Sequence, residues 1–290
     1  HSCNNKDLIY EKRNIKVMID FHTHIFPEKI VKKTLAILEA NCETVPYTDG
    51  TAAGLQTSSE EAGIDCSVIL PVATKPEQFD SINRFAMQFR GQDRLLSFGG
   101  IHPDTENVRE KLMFLKNHGF KGIKLHPDYQ QTFIDDIRCE RIIDVASELG
   151  LIVSVHCGFD PGYKELTHCT PDRIVKMIDA VHPEKLVLAH MGSLMMWDDV
   201  EKYLVGAPVW FDTGVVFGHI AEEQFIRIVR KQGADRILFA SDSPWGGQKE
   251  FVQTLESTSL TEAEKQMIFH TNAEKLLGTK IPDSRKIKEE

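Results

Sequence analysis

Eight short apolar runs punctuate the chain, at 17–22, 67–72, 95–101, 122–126, 151–156, 186–190, 209–213 and 237–241. Each is followed by a polar turn, and most of the intervals carry a stretch with helical periodicity. The runs are rich in Val, Ile and Leu and are mostly apolar on both parities. Strands buried on both faces have this character, and they belong to parallel sheets. Apolar spacing predicts helices over 108–118 (with Leu112 and Leu115 inward), 141–149, 171–181, 222–232 and 261–277. Thr170 stands as an N-cap with Pro171 at the first helical position. Thr261 and Glu264 have capping-box spacing, and Gly278 is placed to stop the last helix. The stretch from Pro27 to Ala62 is the least regular; it predicts one helix over 28–39 and an excursion across one end of the sheet. Eight strand–helix units in roughly 260 residues predict an α/β fold of one domain, a (β/α)8 TIM barrel. An open doubly wound sheet usually carries a Gly-rich turn after its first strand, and here that turn reads FHTHIFPEK. The expected boundaries are an extension at 1–17, the barrel at 18–280 and a tail at 281–290.

Composition narrows the function. With 290 residues, 41% hydrophobic and 27% charged, the chain is ordinary for a globular protein, which excludes disorder for its bulk. A net charge of −9 argues against binding that relies on wrapping nucleic-acid phosphates, while leaving room for a local basic pocket. No apolar stretch approaches the roughly 20 residues that span a bilayer. The six cysteines are scattered without a CxxC, which reads as reduced thiols in a cytoplasmic protein. The polar opening residues lead us to expect no secretory leader. The expected partner is a small molecule, an anionic one among the candidates, without nucleic acid or membrane; a homo-oligomer is compatible.

The chemistry stands at the ends of the runs, where a barrel carries its active site. The first ends in His22-Thr23-His24, the third in His102, and the fourth in Lys124 and His126. The fifth ends in His156, the sixth in His190 and the eighth in Asp242. An isolated histidine at a strand end is more often structural than a ligand, and an HxH pair alone is a weak motif. Several imidazoles converging on one rim change that, because neutral rings gain little by clustering without a cation. Side chains alternate along a strand, so His22 and His24 point the same way and both can grip one ion. The same alternation places Asp20 on their side. It reads either as an acceptor for a ligand histidine's N–H or as a locally paired buried acid. Trp245, in SPWGG, either walls the pocket or packs a loop. His102 has no assignable role.

IDFHTHIFP, GGIHP, GIKLHP, VSVHCG, LVLAHMG, ASDSPWG and FHTNAEKLLG together resemble the amidohydrolase superfamily. They resemble in particular its amidohydrolase-2 branch, which contains aminocarboxymuconate-semialdehyde decarboxylase. The likeness spans roughly residues 17–278, and the ordered set HxH…H…H…D is specific where HxH is not. It implies a (β/α)8 barrel with one divalent ion, most often Zn2+, with Mn2+, Co2+ or Fe2+ also compatible. It implies His22, His24, His156 and Asp242 as ligands, and His190 beside the metal-bound water as acid/base, with Asp242 sharing the proton transfer. In two-metal relatives a carbamylated lysine ends the fourth strand, where Lys124 stands. The reading preferred here is a single ion, with Lys124 and His126 contacting substrate or supporting the ligands.

The main functional expectation is a metal-dependent hydrolase, in which metal-activated water attacks an amide, ester or lactone carbon. The alternative is a metal-dependent non-oxidative decarboxylase of a small carboxylic acid. A TatD-type deoxyribonuclease ranks behind both, because it requires a bridging Glu and a basic mouth. No Glu ends an early run here. Specificity is expected from the mouth segments 27–62 and 159–170.

Overall fold

The computed structural model describes residues 17–91 and 94–284; expectations for 1–16 and 285–290 lie outside these. The runs form parallel strands β1 (Ile19–Thr23), β2 (Cys66–Ile69), β3 (Leu95–Ser97), β4 (Gly99–Gly100), β5 (Gly122–Leu125), β6 (Ile152–Val155), β7 (Leu186–Leu188), β8 (Trp210–Asp212) and β9 (Ile237–Leu238). Each strand pairs with its neighbour in sequence, from β1 to β3 and from β4 to β9. The third run is thus split at Phe98, whose N–H donates to Ile69 O at 2.9 Å and bridges the two parts. The sheet closes where Phe21 N–H donates to Phe239 O (2.9 Å) and Asp242 N–H to His22 O (2.8 Å). The result is the expected barrel.

The helices are α1 (Glu28–Cys42), α2 (Ala52–Ala62), α3 (Phe79–Ala86), α4 (Val108–Asn117), α5 (Ile137–Glu148), α6 (Pro171–Val181), α7 (Trp197–Tyr203), α8 (Glu222–Gln232), α9 (Gln248–Ser257), α10 (Glu262–Gln266) and α11 (Asn272–Leu277). Four expectations need adjustment. Helix α5 begins earlier than its apolar spacing suggested, because Asp136 caps it by accepting from Arg138 N–H. Helix α1 runs three residues past the predicted end, to Cys42. The Thr170 hydroxyl bonds the Asp172 carboxylate at 2.6 Å instead of a backbone N–H, so α6 starts without that cap bond. The stretch predicted as one helix over 261–277 contains a π-helical turn, Met267–Thr271, between α10 and α11. Its expected ends hold: Thr261 and Glu264 form a capping box, and Gly278 adopts the left-handed conformation.

The core has two main layers. Inside the barrel, Ile19, Phe21, Val68, Leu96, Phe98, Ile152, Val187, Trp210 and Leu238 pack together, with Leu276 and Leu277 of α11 against them. Between strands and helices, Ile123, Leu125, Val153, Val155, Leu188, Phe211 and Phe239 meet the inward faces of the helices. Apolar packing therefore fills the inside around Phe21 and Phe98 and leaves the strand ends to polar groups.

Candidate active site

Asp20 and His22 do not share a face, because β1 is irregular. Its register against β2 slips between Asp20 and Thr23. Ile19 and Phe21 lie inside the barrel, while Asp20 faces outward to the helix layer. There its Oδ2 accepts from Ser241 Oγ (2.5 Å) and from Gln248 Nε2 (2.8 Å) on α9. Its Oδ1 accepts the N–H groups of Ser241 (3.0 Å) and His22 (3.2 Å). The carboxylate thus satisfies backbone donors freed at the bulge, and the slip turns His22 toward Lys124 and Asp212. Burial raises the Asp20 carboxyl to about 6 against the pull of these hydrogen bonds. The ring acceptor expected in Asp20 is Asp212, whose Oδ2 lies 2.9 Å from His22 Nδ1.

Each ring nitrogen on the outer side of the cluster has an acceptor. His22 Nδ1 faces Asp212, His24 Nδ1 faces Leu70 O at 2.7 Å, and His190 Nδ1 faces Gly214 O at 2.7 Å. An acceptor at Nδ1 holds the proton there, so the neutral ring turns the Nε2 lone pair inward. Burial, reinforced by the charge of Lys124, pushes His22 well below the usual histidine range and keeps that ring neutral.

The inward atoms then meet. His22 Nε2 and His24 Nε2 are 3.1 Å apart, and Asp242 Oδ1 lies 3.3 Å and 3.0 Å from them. Burial works against the Asp242 charge, but His22, His24 and His190 hold its carboxyl below the usual range. Three acceptors facing one another, with His22 and Asp242 buried and His24 partly so, repel unless a cation lies between them. Ligands at about 2.0–2.1 Å from Zn2+ sit roughly 3.3 Å apart, close to the spacing seen. The residues therefore fit a divalent ion held by two imidazoles and one carboxylate.

Two residues owe their aim to unusual backbone. His190 (φ 61°) and Asp242 (φ 64°) both occupy the left-handed region, rarely used by side-chain-bearing residues. Asp212 Oδ1 accepts the N–H of His190 (3.0 Å) and of Gly214 (2.9 Å), so one carboxylate orients two histidines. A Cβ on Gly214 would lie 3.2 Å from both His22 Nδ1 and Asp212 Oδ1, which leaves little room for any other residue there.

The other expected residues divide. Lys124 is fully buried, with Nζ 3.2 Å from His22 Nε2. Burial lowers its pKa, against the fields of Asp212 and Asp242. His156 stands outside the His22–His24–Asp242 group; its Nδ1 is 3.0 Å from His190 Nε2. His126 stacks on His156 with ring centres 4.0 Å apart. His102 lies elsewhere: its Nδ1 accepts from Asp104 N–H at 3.1 Å and ties the turn before α4. Trp245 is half-buried, with its backbone N–H donating to Asp242 O at 2.9 Å. Asp212, Asp128 and Asp160 were not singled out in the sequence. Asp212 lies inside the seventh run, one residue before its end, and an acid within an otherwise apolar run was the available signal.

Fold and site together define a (β/α)8-barrel enzyme with a histidine–aspartate centre at the strand ends. The chain belongs to the amidohydrolase family, whose "Amidohydrolase" model matches residues 19–279. Solved structures share the fold. One is 2,6-dihydroxybenzoate decarboxylase from Rhizobium, 15% identical, with TM-score 0.67 over 91% of this chain and 99% of that one. Another is 5-carboxyvanillate decarboxylase from Novosphingobium aromaticivorans, complexed with manganese and 4-hydroxy-3-methoxy-5-nitrobenzoic acid. It is 15% identical, with TM-score 0.67 over 90% of this chain and 96% of that one. A third is an uncharacterized TIM-barrel protein from Bordetella bronchiseptica, 15% identical, with TM-score 0.70 over 90% of this chain and 98% of that one. No curated protein sequence matches significantly.

Proposed function

We propose that the chain is a metal-dependent, non-oxidative decarboxylase of a small, hydroxyl-bearing aromatic carboxylic acid. The observation that carries this reading is Lys124, a fully buried lysine 3.2 Å from the nitrogen that His22 offers to an ion. Two cations so close call for an anion between them, and a substrate carboxylate supplies one. The aromatic acids named in the structurally similar decarboxylases lend support, as does the manganese in one of them.

In this reading His22, His24 and Asp242 hold the ion, and Lys124 grips the carboxylate. A divalent ion there acts as a Lewis acid toward substrate oxygens. The net reaction exchanges CO2 for a proton on the same carbon. In the same reading Asp242 and His190 take the proton of the substrate hydroxyl and return one to that carbon. The electron pair of the C–C bond then restores the ring as CO2 leaves. Zn2+ and Mn2+ both suit two imidazoles and a carboxylate. All five described cysteines are free, in keeping with a reducing, cytoplasmic setting.

The test is turnover of hydroxybenzoates by metal-reconstituted protein in D2O. The expected outcome is CO2 release with one deuterium at the vacated carbon. If esters, amides or lactones instead gave products carrying 18O from labelled water, without CO2, the hydrolase reading would replace this one. His190→Asn is expected to keep its metal, measured by plasma mass spectrometry, and to lose about 10²–10⁴-fold in turnover.

A further inference from the structure

Exchange of CO2 for a proton leaves one acid at the rim, Asp160, without a task. It lies in the mouth segment 159–170, just beyond β6. Its Oδ1 accepts the N–H of Gly162 at 2.7 Å, and its carbonyl accepts the N–H of Tyr163 at 3.0 Å, so a tight turn fixes the side chain. A Cβ on Gly162 would lie 3.0 Å from Asp160 Oδ1 and 3.1 Å from the Tyr129 hydroxyl, which leaves little room for another residue in that turn. The second oxygen is different. Asp160 is 7% exposed, yet its Oδ2 receives no hydrogen bond among the described residues; His126 Nε2 stands 3.4 Å away and His156 Nε2 3.8 Å away. Both distances exceed the usual N–H···O range. A buried carboxylate oxygen without a donor is costly, and a ligand that brings one relieves the cost.

This oxygen belongs to the same cavity as the histidine–aspartate centre. His126 stacks on His156, whose Nδ1 reaches His190 Nε2 at 3.0 Å. Burial, then the charge of Lys124, pushes His126 well below the usual histidine range, so one imidazole feels the lysine and touches the acid. Burial, then the charge of Asp160 and more weakly that of Asp242, pushes the Cys42 thiol up, which sets both acids near the end of α1. The site thus pairs a buried cation with a separate, unfilled acceptor. Beside that acceptor, Tyr129 meets His126 and Tyr163 edge-on, with ring centres 4.3 Å and 5.1 Å apart, and these rings offer flat walls to an aromatic ligand.

We infer that Asp160 is a specificity-determining residue, whose Oδ2 accepts a hydrogen bond from a ring hydroxyl or amino group that the substrate carries in addition to its carboxylate and its reacting hydroxyl. The inference rests on the aromatic-acid reading and narrows it. A carboxylate beside Asp160 is repelled, so the acid end of the substrate goes to Lys124 and the donor end to Asp160. A ring without the extra donor leaves Oδ2 desolvated and unpaired, and it binds more weakly.

Isothermal titration calorimetry of metal-reconstituted protein tests this, with 2-hydroxybenzoate as reference and its 3-, 4- and 5-substituted hydroxy, amino and methoxy derivatives as probes. In the wild type, a hydroxyl or amino group at one ring position is expected to tighten binding about 10–100-fold over hydrogen, and methoxy is not. In Asp160→Asn the amide oxygen keeps the Gly162 N–H, and its NH2 replaces Oδ2 with a donor. The gain is expected to vanish there and in Asp160→Ala, with metal content unchanged. A merely structural role weakens every probe alike and preserves the gain, which overturns the assignment; a wild type without a gain at any position overturns it too. Measured CO2 release separates this inference from the reading beneath it. A gain that vanishes in Asp160→Asn, without CO2 from any probe, upholds Asp160 and counts against decarboxylation. CO2 release with the gain intact in Asp160→Asn overturns Asp160 and leaves decarboxylation standing.

Discussion

Asp212 shows how much one side chain organises here. Its two oxygens serve His22 Nδ1, His190 N–H and Gly214 N–H, so it sets a tautomer on one histidine and the backbone direction of another. Asp212→Asn presents an N–H₂ or a weaker acceptor to His22 Nδ1 and loosens the inward lone pair. Carboxylates behind ligand histidines are commonly worth about 10–100-fold in metal affinity. A loss of that size, read by chelator competition, is the expected outcome, with the far-ultraviolet circular dichroism spectrum retained. The HxH pair was legible in the sequence because two histidines two residues apart at the end of an apolar run are expected to share a direction. Asp212 carries a weaker signal: it is a lone acid inside an apolar run, with no second ligand-type residue at a fixed spacing beside it.

At the level of the element, β1 carries the main departure from simple alternation. A regular strand sends Asp20 and His22 to one side; the bulge sends Asp20 to the helix layer and His22 to the site. The bulge needs its freed N–H groups bound, and Asp20 binds them. Asp20→Ala leaves the N–H groups of His22 and Ser241 and the amide of Gln248 without their acceptor. Each buried donor so stranded costs about 1–3 kcal/mol, so a loss of at least 2 kcal/mol is expected from urea unfolding midpoints. Metal affinity is expected to fall with it, since His22 loses its fixed direction. The last helix taught a related lesson. Its cap and stop were readable from Thr261, Glu264 and Gly278, whereas the π turn between them follows from packing, with Ile268 and Phe269 buried.

For the whole molecule, a filled barrel interior supports a polar rim. Phe98 is fully buried, meets Phe21 edge-on with ring centres 5.8 Å apart, and bridges the two parts of the sheet. Phe98→Ala is expected to cost about 3–5 kcal/mol, measured by denaturant titration. The interior also keeps thiols quiet. Burial pushes Cys66 and Cys139 up to about 12. At pH 8 they are therefore expected to resist a disulfide reagent in the native protein and to react once denaturant opens the barrel; fast native labelling at these positions, located by peptide mapping, would contradict the packing described.

The sequence by itself determined the barrel, because eight doubly buried strands separated by amphipathic helices satisfy their backbone and apolar faces in few other ways. It also determined which strand ends are polar, since a charged or imidazole group closing an apolar run has few places to go but the rim. Tertiary structure alone decided which of those groups meet. Contacts such as His22 with Asp212, or His156 with Asp160 and Asp128, depend on a one-residue register slip, on left-handed turns at His190 and Asp242, and on loops that carry acids back over the rim. A displacement of a few ångströms separates a ligand from a bystander, and hydrophobic periodicity carries no information at that scale.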